Sequence, residues 1–499
     1  MQAPSLAQRI KYERARRSFA EFARQAWPFV ESNDLEWNWH LDVIADHLEA
    51  VKRGEIRRLL VNMPPRCLKS TFINVLWPTW MWGDLPHFKY LTSSYADELS
   101  VRDNVKSRDL ILTPWYQGYL RHMELEGHGE VWRLKGDQNV KSRYENNRGG
   151  HRIATSVGGS ATGDGGDAVM VDDPLSAKGG LSKAKLEEAV TWWDRTMSSR
   201  LNDQRTGVKI VVMQRLAQGD LSGHILEEIG GYEHLMLPME YRTVIKVGHF
   251  EGSPKDYPTS LGYVDPRTED GELLFPGRFT PDVVKQLKKD LGSRGYAGQY
   301  QQTPVAEGGN TFEKAWFGVV DAVPARAFRV RYWDKAGTEG AGARTVGVLM
   351  LKTLEGEYIV EDVVKGQWGA TKRNALIKAI CEQDAAKYGR LGVQTWNEQE
   401  PGSGGKESAE NTIKQLAGYD VHSERVTGSK EERAVPFAVQ AEAGNVKLLR
   451  APWNKDYLEE LEMFPAGKFK DQVDASSGAF NKLALGRSAL ERMRALNGD

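Results

Sequence analysis

The chain holds only two cysteines, Cys67 and Cys381, in 499 residues. That is too few for a disulfide framework or a four-cysteine zinc site, and it suits a reducing compartment. No uninterrupted apolar run nears the roughly 18 residues of a membrane span. The first residues, MQAPSLAQRIKYERARRSF, have no apolar segment of the kind a secretory signal needs. The expected setting is the cytoplasm of a cell, away from any membrane. Surplus charge is also missing: 67 Lys and Arg face 68 Asp and Glu, a net charge of −1. Any nucleic-acid contact must then come from local patches rather than a global field. Internal repeats and low-complexity tracts are absent too. What remains is a globular composition, 9% aromatic. Its length allows two or three domains at roughly 100–200 residues each.

Against that background one stretch stands out, LLVNMPPRCLKSTF, from Leu59 to Phe72. An apolar run enters a Pro-Pro turn, then Lys69-Ser70-Thr71, then an apolar segment fit for a helix. Strand, tight loop, Lys-Ser/Thr and helix is the layout of a phosphate-binding loop. Backbone N–H groups at the helix start cradle anionic oxygens, the lysine reaches the outer phosphates, and the hydroxyl holds Mg²⁺. The loop departs from G-x-x-x-x-G-K-[ST]: Met63 and Leu68 stand where the two glycines belong. Pro65, Arg66, Cys67, Leu68, Lys69, Ser70 and Thr71 are the candidate nucleotide contacts.

A second stretch answers the first. In AVMVDDP a hydrophobic strand, Ala168–Val171, ends in two carboxylates. In a phosphate-loop ATPase that strand lies beside the loop strand. Its first acid, Asp172, holds Mg²⁺, and the second, Asp173, orients the attacking water. Further strands are expected at Arg58–Asn62, Lys89–Ser94, Arg152–Val157 and Lys209–Met213. The last ends in Gln214-Arg215, where a polar side chain can sense the outer phosphate. Helices are expected over residues 1–37, Trp37–Lys52, Tyr95–Leu112, Leu186–Leu201 and Asp220–Ile229. Strands alternating with helices up to about residue 240 imply a mainly parallel sheet. Residues 241–325 are rich in Gly, Pro and charge and read as a connector.

At Phe328 the pattern restarts. Phe328–Asp334, Thr345–Thr353 and Glu357–Val363 suggest three antiparallel strands. A helix, Thr371–Tyr388, then a strand, Gly392–Asn397, and a helix, Glu407–Leu416, follow. Asp334, Glu398, Asp471 and Asp474 each fall at a strand end or a helix start. In an RNase-H-like domain such places converge on one edge of a mixed sheet. Clustered carboxylates repel one another unless a cation joins them. Two divalent ions there would activate water and steady the leaving oxygen of a phosphodiester. Glu400 competes with Glu398 on strand alternation, Asp471 and Asp474 share one helical face, and Asp362 and Asp384 are lesser alternatives.

The sequence resembles the large terminase subunits of tailed double-stranded DNA phages. The resemblance lies in RRLLVNMPPRCLKST, YADELS, the glycine-rich run leading to VMVDDP, VVMQRLAQGDLSGHIL, YWDKAGT, NEQEPGSGGK and DQVDASSGA. These run in family order over most of residues 37–485, and the family often writes its loop as PPR-x-x-KS. The resemblance implies an N-terminal phosphate-loop ATPase, residues 1–240 with a helical arm at 1–37. A connector at 241–325 and an RNase-H-like nuclease at 326–499 would follow. It implies ATP and Mg²⁺ as cofactors, with Mn²⁺ possible at the nuclease. It implies DNA translocation into a procapsid and endonucleolytic cutting of concatemers. Expected partners are double-stranded DNA, the small terminase subunit and the portal protein, with the chain itself in a ring on the portal. Arg66 would approach the γ-phosphate, and Gln214 would couple hydrolysis to movement. Ser70 and Asp172 would hold Mg²⁺, while Asp334, Glu398 and the Asp471/Asp474 pair would hold the nuclease metals. His40 stands where the family often has an adenine-contacting glutamine. An arginine acting in trans is expected among Arg102, Arg108 and Arg143.

Two other functions share these features. A helicase–nuclease would need further helicase motifs between Asp173 and Asp334, which the sequence does not display. An inactive docking subunit would explain the missing loop glycines.

Overall fold

The computed structural model describes residues 4–159, 163–247, 250–305, 311–336, 342–399 and 403–485. The chain forms two compact units, Met1–Gln286 with Arg294–Glu307, and Leu287–Ser293 with Gly308–Asp499. Glu400 and part of the glycine-rich run before VMVDDP lie outside the described residues. Among the described residues no helix is long and apolar enough to cross a membrane.

The first unit is built on eight strands. They are β1 (Arg58–Asn62), β2 (Tyr90–Ser94), β3 (Leu134–Val140), β4 (Arg143–Asn146), β5 (His151–Ser156), β6 (Ala168–Asp172), β7 (Val208–Met213) and β8 (Glu233–Met236). Their order is β3-β4-β5-β2-β6-β7-β1-β8. Pairing is parallel from β5 to β8 and antiparallel along β3-β4-β5. The central strands are buried throughout, which is why they read as apolar runs without alternation. β6 does not lie beside β1 as expected; β7 runs between them. The expectation assumed the simplest strand order. With β7 inserted, the ends of β1, β6 and β7 all open on the same sheet edge.

The helices follow their capping chemistry. The N-terminal arm is two helices, Leu6–Arg17 and Phe19–Ala26, because Ser18 leaves helical geometry and caps the second through the Glu21 N–H. Residues 34–38 are not helical, so the arm is shorter than expected. The next helix spans Trp39–Arg53 and ends on Gly54 at φ 78°, a left-handed stop that glycine takes without strain. The connector region holds a 19-residue helix, Pro281–Gln299, that the sequence reading missed. Thr280 caps it and Pro281 opens it, but Gly292 at φ 67° breaks its periodicity. A short antiparallel ribbon, β9 (Ile245–Val247) and β10 (Phe250–Gly252), precedes it.

The second unit carries β11 (Gly318–Val320), β12 (Phe328–Asp334), β13 (Thr345–Lys352), β14 (Tyr358–Gly366), β15 (Gln394–Glu398), β16 (Val421–Glu424) and β17 (Val446–Leu449). The order β11-β17-β14-β13-β12-β15-β16 combines the antiparallel meander β12-β13-β14 with parallel neighbours. The helix Asp471–Leu485 crosses β12 and β13, and Val473, Ala475, Ala479 and Phe480 pack on Val330, Tyr332, Val348 and Met350. Each fully buried aliphatic side chain there contributes roughly 1.5–3 kcal/mol. Gly478 allows the approach: a Cβ on it would lie 2.5 Å from Tyr332 Cδ1. Closeness here fixes where the first turn of that helix, with Asp471 and Asp474, meets the sheet edge.

Candidate functional site

In the first unit the phosphate loop leaves β1 at the edge where β6 and β7 also end. Arg66 and Leu68 take φ 64° and 68°, the left-handed region usually left to glycine. The loop therefore reaches its shape without glycine, at a cost of about 1–2 kcal/mol per residue. Cys67 is buried, and its carbonyl lies 3.3 Å from His40 Nε2. His40 is fully buried and held by burial down at about 4, so it supports the loop as a neutral ring. It touches the loop backbone, a role the sequence reading did not give it. Arg278 also donates to the Arg66 carbonyl at 3.2 Å.

Lys69 is 5% exposed, and its Nζ lies 2.7 Å from Asp173 Oδ2. Burial works against its charge, but Asp173 and Asp172 outweigh that and hold it above the usual lysine range. Asp173 sits at φ 43°, and its Oδ1 accepts the Gln214 N–H at 3.0 Å. One carboxylate thus bridges the loop lysine and the end of β7. Asp172, beside it, is pushed up to about 7, first by burial and then by the charge of Asp173; Lys69 and the Ser70 hydroxyl pull the other way. Its Oδ1 is buried with no hydrogen-bond partner among the described residues, and so is Gln214 Oε1. An unpartnered carboxylate oxygen next to a serine hydroxyl is a donor set that fits a divalent ion.

The remaining loop residues divide by exposure. Arg66 is exposed, whereas Thr71 donates to Glu31 at 3.2 Å, which also takes Lys106 at 2.6 Å. Pro65 and Leu68 are partly buried. Of the arginines considered for action in trans, Arg102 pairs with Asp103, Arg108 lies 3.6 Å from Asp109, and Arg143 holds Asp164 at 2.9 Å.

In the second unit β12 and β15 are parallel, with Trp333 opposite Asn397. That register sets the next residues, Asp334 and Glu398, side by side at the sheet edge. The helix Asp471–Leu485 brings Asp474 to them: ligand atoms of Asp334, Glu398 and Asp474 all lie within 4.8 Å of one another. Asp471 is not of this group. It accepts the Arg344 N–H at 2.9 Å instead. Burial, then the charge of Asp474, pushes Asp334 up to about 8, and Glu398 is raised for the same two reasons. Three carboxylates under mutual repulsion are a set that fits a divalent cation. Asp362 and Asp384 lie elsewhere, both salt-bridged to the buried Arg331.

Two cations face this cluster that the sequence reading did not single out. Lys430 Nζ lies 2.9 Å from Asp474 Oδ2 and 3.5 Å from Asp334 Oδ2. Arg433 pairs with Asp474 and reaches Glu398 at 4.0 Å. Both sit on the helix Lys430–Glu442, capped by Ser429. Nothing in KEER marks them as more than a solvated first turn.

A phosphate-loop α/β unit and an RNase-H-like unit with a carboxylate trio define the class. Residues 331–483 match the family model of the terminase RNaseH-like domain. The match gives the second unit of this chain a terminase RNaseH-like domain. No protein of curated function matches the sequence. Among solved structures, the large terminase of a thermophilic bacteriophage in complex with ADP is 10% identical, with a TM-score of 0.47 over 88% of this chain and 99% of that one. The HK97 bacteriophage large terminase is 11% identical, with a TM-score of 0.34 over 89% and 92%. The large terminase nuclease of thermophilic phage G20c with bound zinc is 15% identical, with a TM-score of 0.26 over 34% and 98%.

Proposed function

We propose that this chain is the motor and nuclease of a phage DNA-packaging machine, hydrolysing ATP in its first unit and cutting DNA in its second. The observation that carries the reading is the meeting of Asp334, Glu398 and Asp474 on a terminase RNaseH-like domain, in one chain with a lysine-bearing phosphate loop. The functional division is an ATPase in the first unit, opened by a helical arm, and a nuclease in the second, whose sheet takes in β11 from the stretch expected to be connector.

At the first site Lys69 takes the outer phosphates, Ser70 and Asp172 hold Mg²⁺, and the exposed Arg66 turns to the γ-phosphate. Lys69 pairs with Asp173. Incoming phosphates compete for that lysine, and its departure frees the Asp173 carboxylate to orient water. The Gln214 N–H donates to the same carboxylate, so a shift of Asp173 pulls on the end of β7. That link is the route by which Gln214 would couple hydrolysis to movement.

At the second site Asp334, Glu398 and Asp474 hold divalent ions, Mg²⁺ or Mn²⁺, with Asp471 at the margin. Bound there, such ions lower the pKa of water and neutralise charge on the phosphodiester. The protein's part is to hold three carboxylates on rigid strand ends and a helix start. The partners that follow are double-stranded DNA, the small subunit and the portal, with several copies forming a ring in the host cytoplasm.

DNA-stimulated ATP turnover should vanish in Lys69→Ala, and metal-dependent plasmid cleavage in Asp334→Ala. Equal hydrolysis by wild type and Lys69→Ala would remove the first assignment; unchanged cutting by Asp334→Ala would remove the second.

A further inference from the structure

We propose that Lys430 is a built-in counter-ion of the nuclease, its ammonium standing where a second divalent ion must bind, so that metal loading requires its displacement. The proposal rests on the reading of Asp334, Glu398 and Asp474 as metal ligands.

The geometry is specific. Lys430 Nζ lies 2.9 Å from Asp474 Oδ2, 3.5 Å from Asp334 Oδ2 and 3.9 Å from Asp471 Oδ1. It thus sits between the trio and the fourth acid, on the side of Asp471. An ion bridging Asp334 and Asp474 toward Asp471 would share its position. Arg433 is placed differently: it holds Asp474 and approaches Glu398 at 4.0 Å, on the other flank. Arg344 lies 3.9 Å from Asp471 and pairs with Glu460.

Charge balance points the same way. With all four carboxylates ionised, as metal binding requires, Asp334, Glu398, Asp471 and Asp474 meet Lys430 and Arg433, which leaves two negative charges on this face. One divalent ion neutralises that remainder; a second leaves an excess of positive charge, which the departure of one cation reduces and an arriving DNA phosphate removes. Lys430 is the one able to leave. Its side chain is 38% exposed, against 17% for Arg433. A flexible ammonium exchanges partners more readily than a planar guanidinium fork. Its natural alternative partner is a DNA phosphate. Duplex binding would then draw the ammonium off the carboxylates and open the second position, so the site would load fully only on DNA. A nuclease that shares a chain with a DNA translocation motor gains from staying under-loaded until substrate is seated.

The test uses the full chain and Mn²⁺ alone, without DNA, by calorimetry and thermal melting. Lys430→Gln removes the charge and keeps most of the length, so it should bind Mn²⁺ roughly tenfold more tightly or more than wild type, the scale of a change beside metal ligands. Lys430→Arg keeps the charge on a less readily displaced group and should bind Mn²⁺ no more tightly than wild type. The Mn²⁺-induced rise in melting temperature should be larger in Lys430→Gln, which starts with a less balanced cluster. If that variant folds only on adding Mn²⁺, the proposal is supported. Half-maximal plasmid cutting should shift to lower Mn²⁺ by less than this, because bound DNA already draws the ammonium off in wild type. Wild-type or weaker Mn²⁺ affinity in Lys430→Gln overturns the proposal, as does equal tightening in Lys430→Arg. Asp334→Ala separates the two readings: if it leaves Mn²⁺ binding unchanged, the metal site itself is wrong, whatever Lys430 does.

Discussion

Replacing Asp173 by Asn removes the charge that faces Lys69 while keeping the side chain's shape. Lys69 is 5% exposed and 2.7 Å from Asp173 Oδ2, so the lost partner is a buried one. Stranding a buried charge costs about 3–5 kcal/mol. Here a second carboxylate moderates the loss. Asp172 is held up at about 7 by burial and by the charge of Asp173. Once residue 173 is neutral, Asp172 ionises more readily and shares Lys69. The remaining cost is closer to that of an unsatisfied polar group, about 1–3 kcal/mol. At roughly 2–4 °C per kcal/mol for a domain of this size, about 2 kcal/mol lowers the melting point by about 4–8 °C. Nucleotide phosphates supply Lys69 with new anions, so a non-hydrolysable ATP analogue should raise the melting temperature more in the variant than in wild type. ATP turnover should fall roughly 10²–10⁴-fold, the range for a positioned proton-transfer group. Differential scanning fluorimetry with and without the analogue, beside steady-state hydrolysis, reads all three. A variant that melts with wild type and shows the same nucleotide shift would refute the pairing of Lys69 with Asp173.

Other outcomes follow from the second unit. Asp474→Asn and Glu398→Gln should abolish plasmid cutting. Asp471→Asn, whose carboxylate serves the Arg344 N–H, should lose no more than about 10–100-fold, as outer-shell partners do; equal losses would place Asp471 among the ligands. The metal-free unit should lose stability as pH rises. Asp334 is pushed up to about 8, above its unfolded value of roughly 4. The stability it adds is therefore full at low pH and is lost as pH climbs from its unfolded value toward 8. Melts in chelator at pH 5, 7 and 9 should show the decline, and added Mn²⁺ should reverse it most at pH 9; a flat profile would contradict the crowding of these carboxylates. Gly478→Ala would put a Cβ 2.5 Å from Tyr332 Cδ1. The overpacking should cost about 1–3 kcal/mol and shift Asp474. Nuclease activity should then suffer while ATP turnover holds; equal loss of both would mean a general folding defect.

Much of this architecture is legible in the chain because burial writes it there. Val169-Met170-Val171 and Ile210-Val211-Val212 are buried on both faces, so they read as apolar runs and fall within strands. Asp334 and Glu398 could be singled out because each closes a strand. Their adjacency needed the parallel register of β12 and β15, which no local pattern encodes. The order of β6 and β7 was hidden for the same reason, since a strand's neighbours depend on long-range crossover. The helix Pro281–Gln299 carries a cap and an opening proline, yet its break at Gly292 and its many charges masked the periodicity. The loop contact of His40, and Lys430 and Arg433 as site residues, were invisible. Their roles arise from what stands opposite them in the fold, Cys67 in one case and Asp334 and Asp474 in the others. The loop glycines are the instructive case. Their absence looked like damage, but Leu68, at the second glycine position, takes the left-handed backbone itself, as does Arg66.

The most direct measurement is anomalous diffraction at the manganese edge from crystals of the full chain grown with Mn²⁺. The expected result is a peak ligated by oxygens of Asp334, Glu398 and Asp474 together. A peak ligated without one of them, or none at that sheet edge, would contradict it.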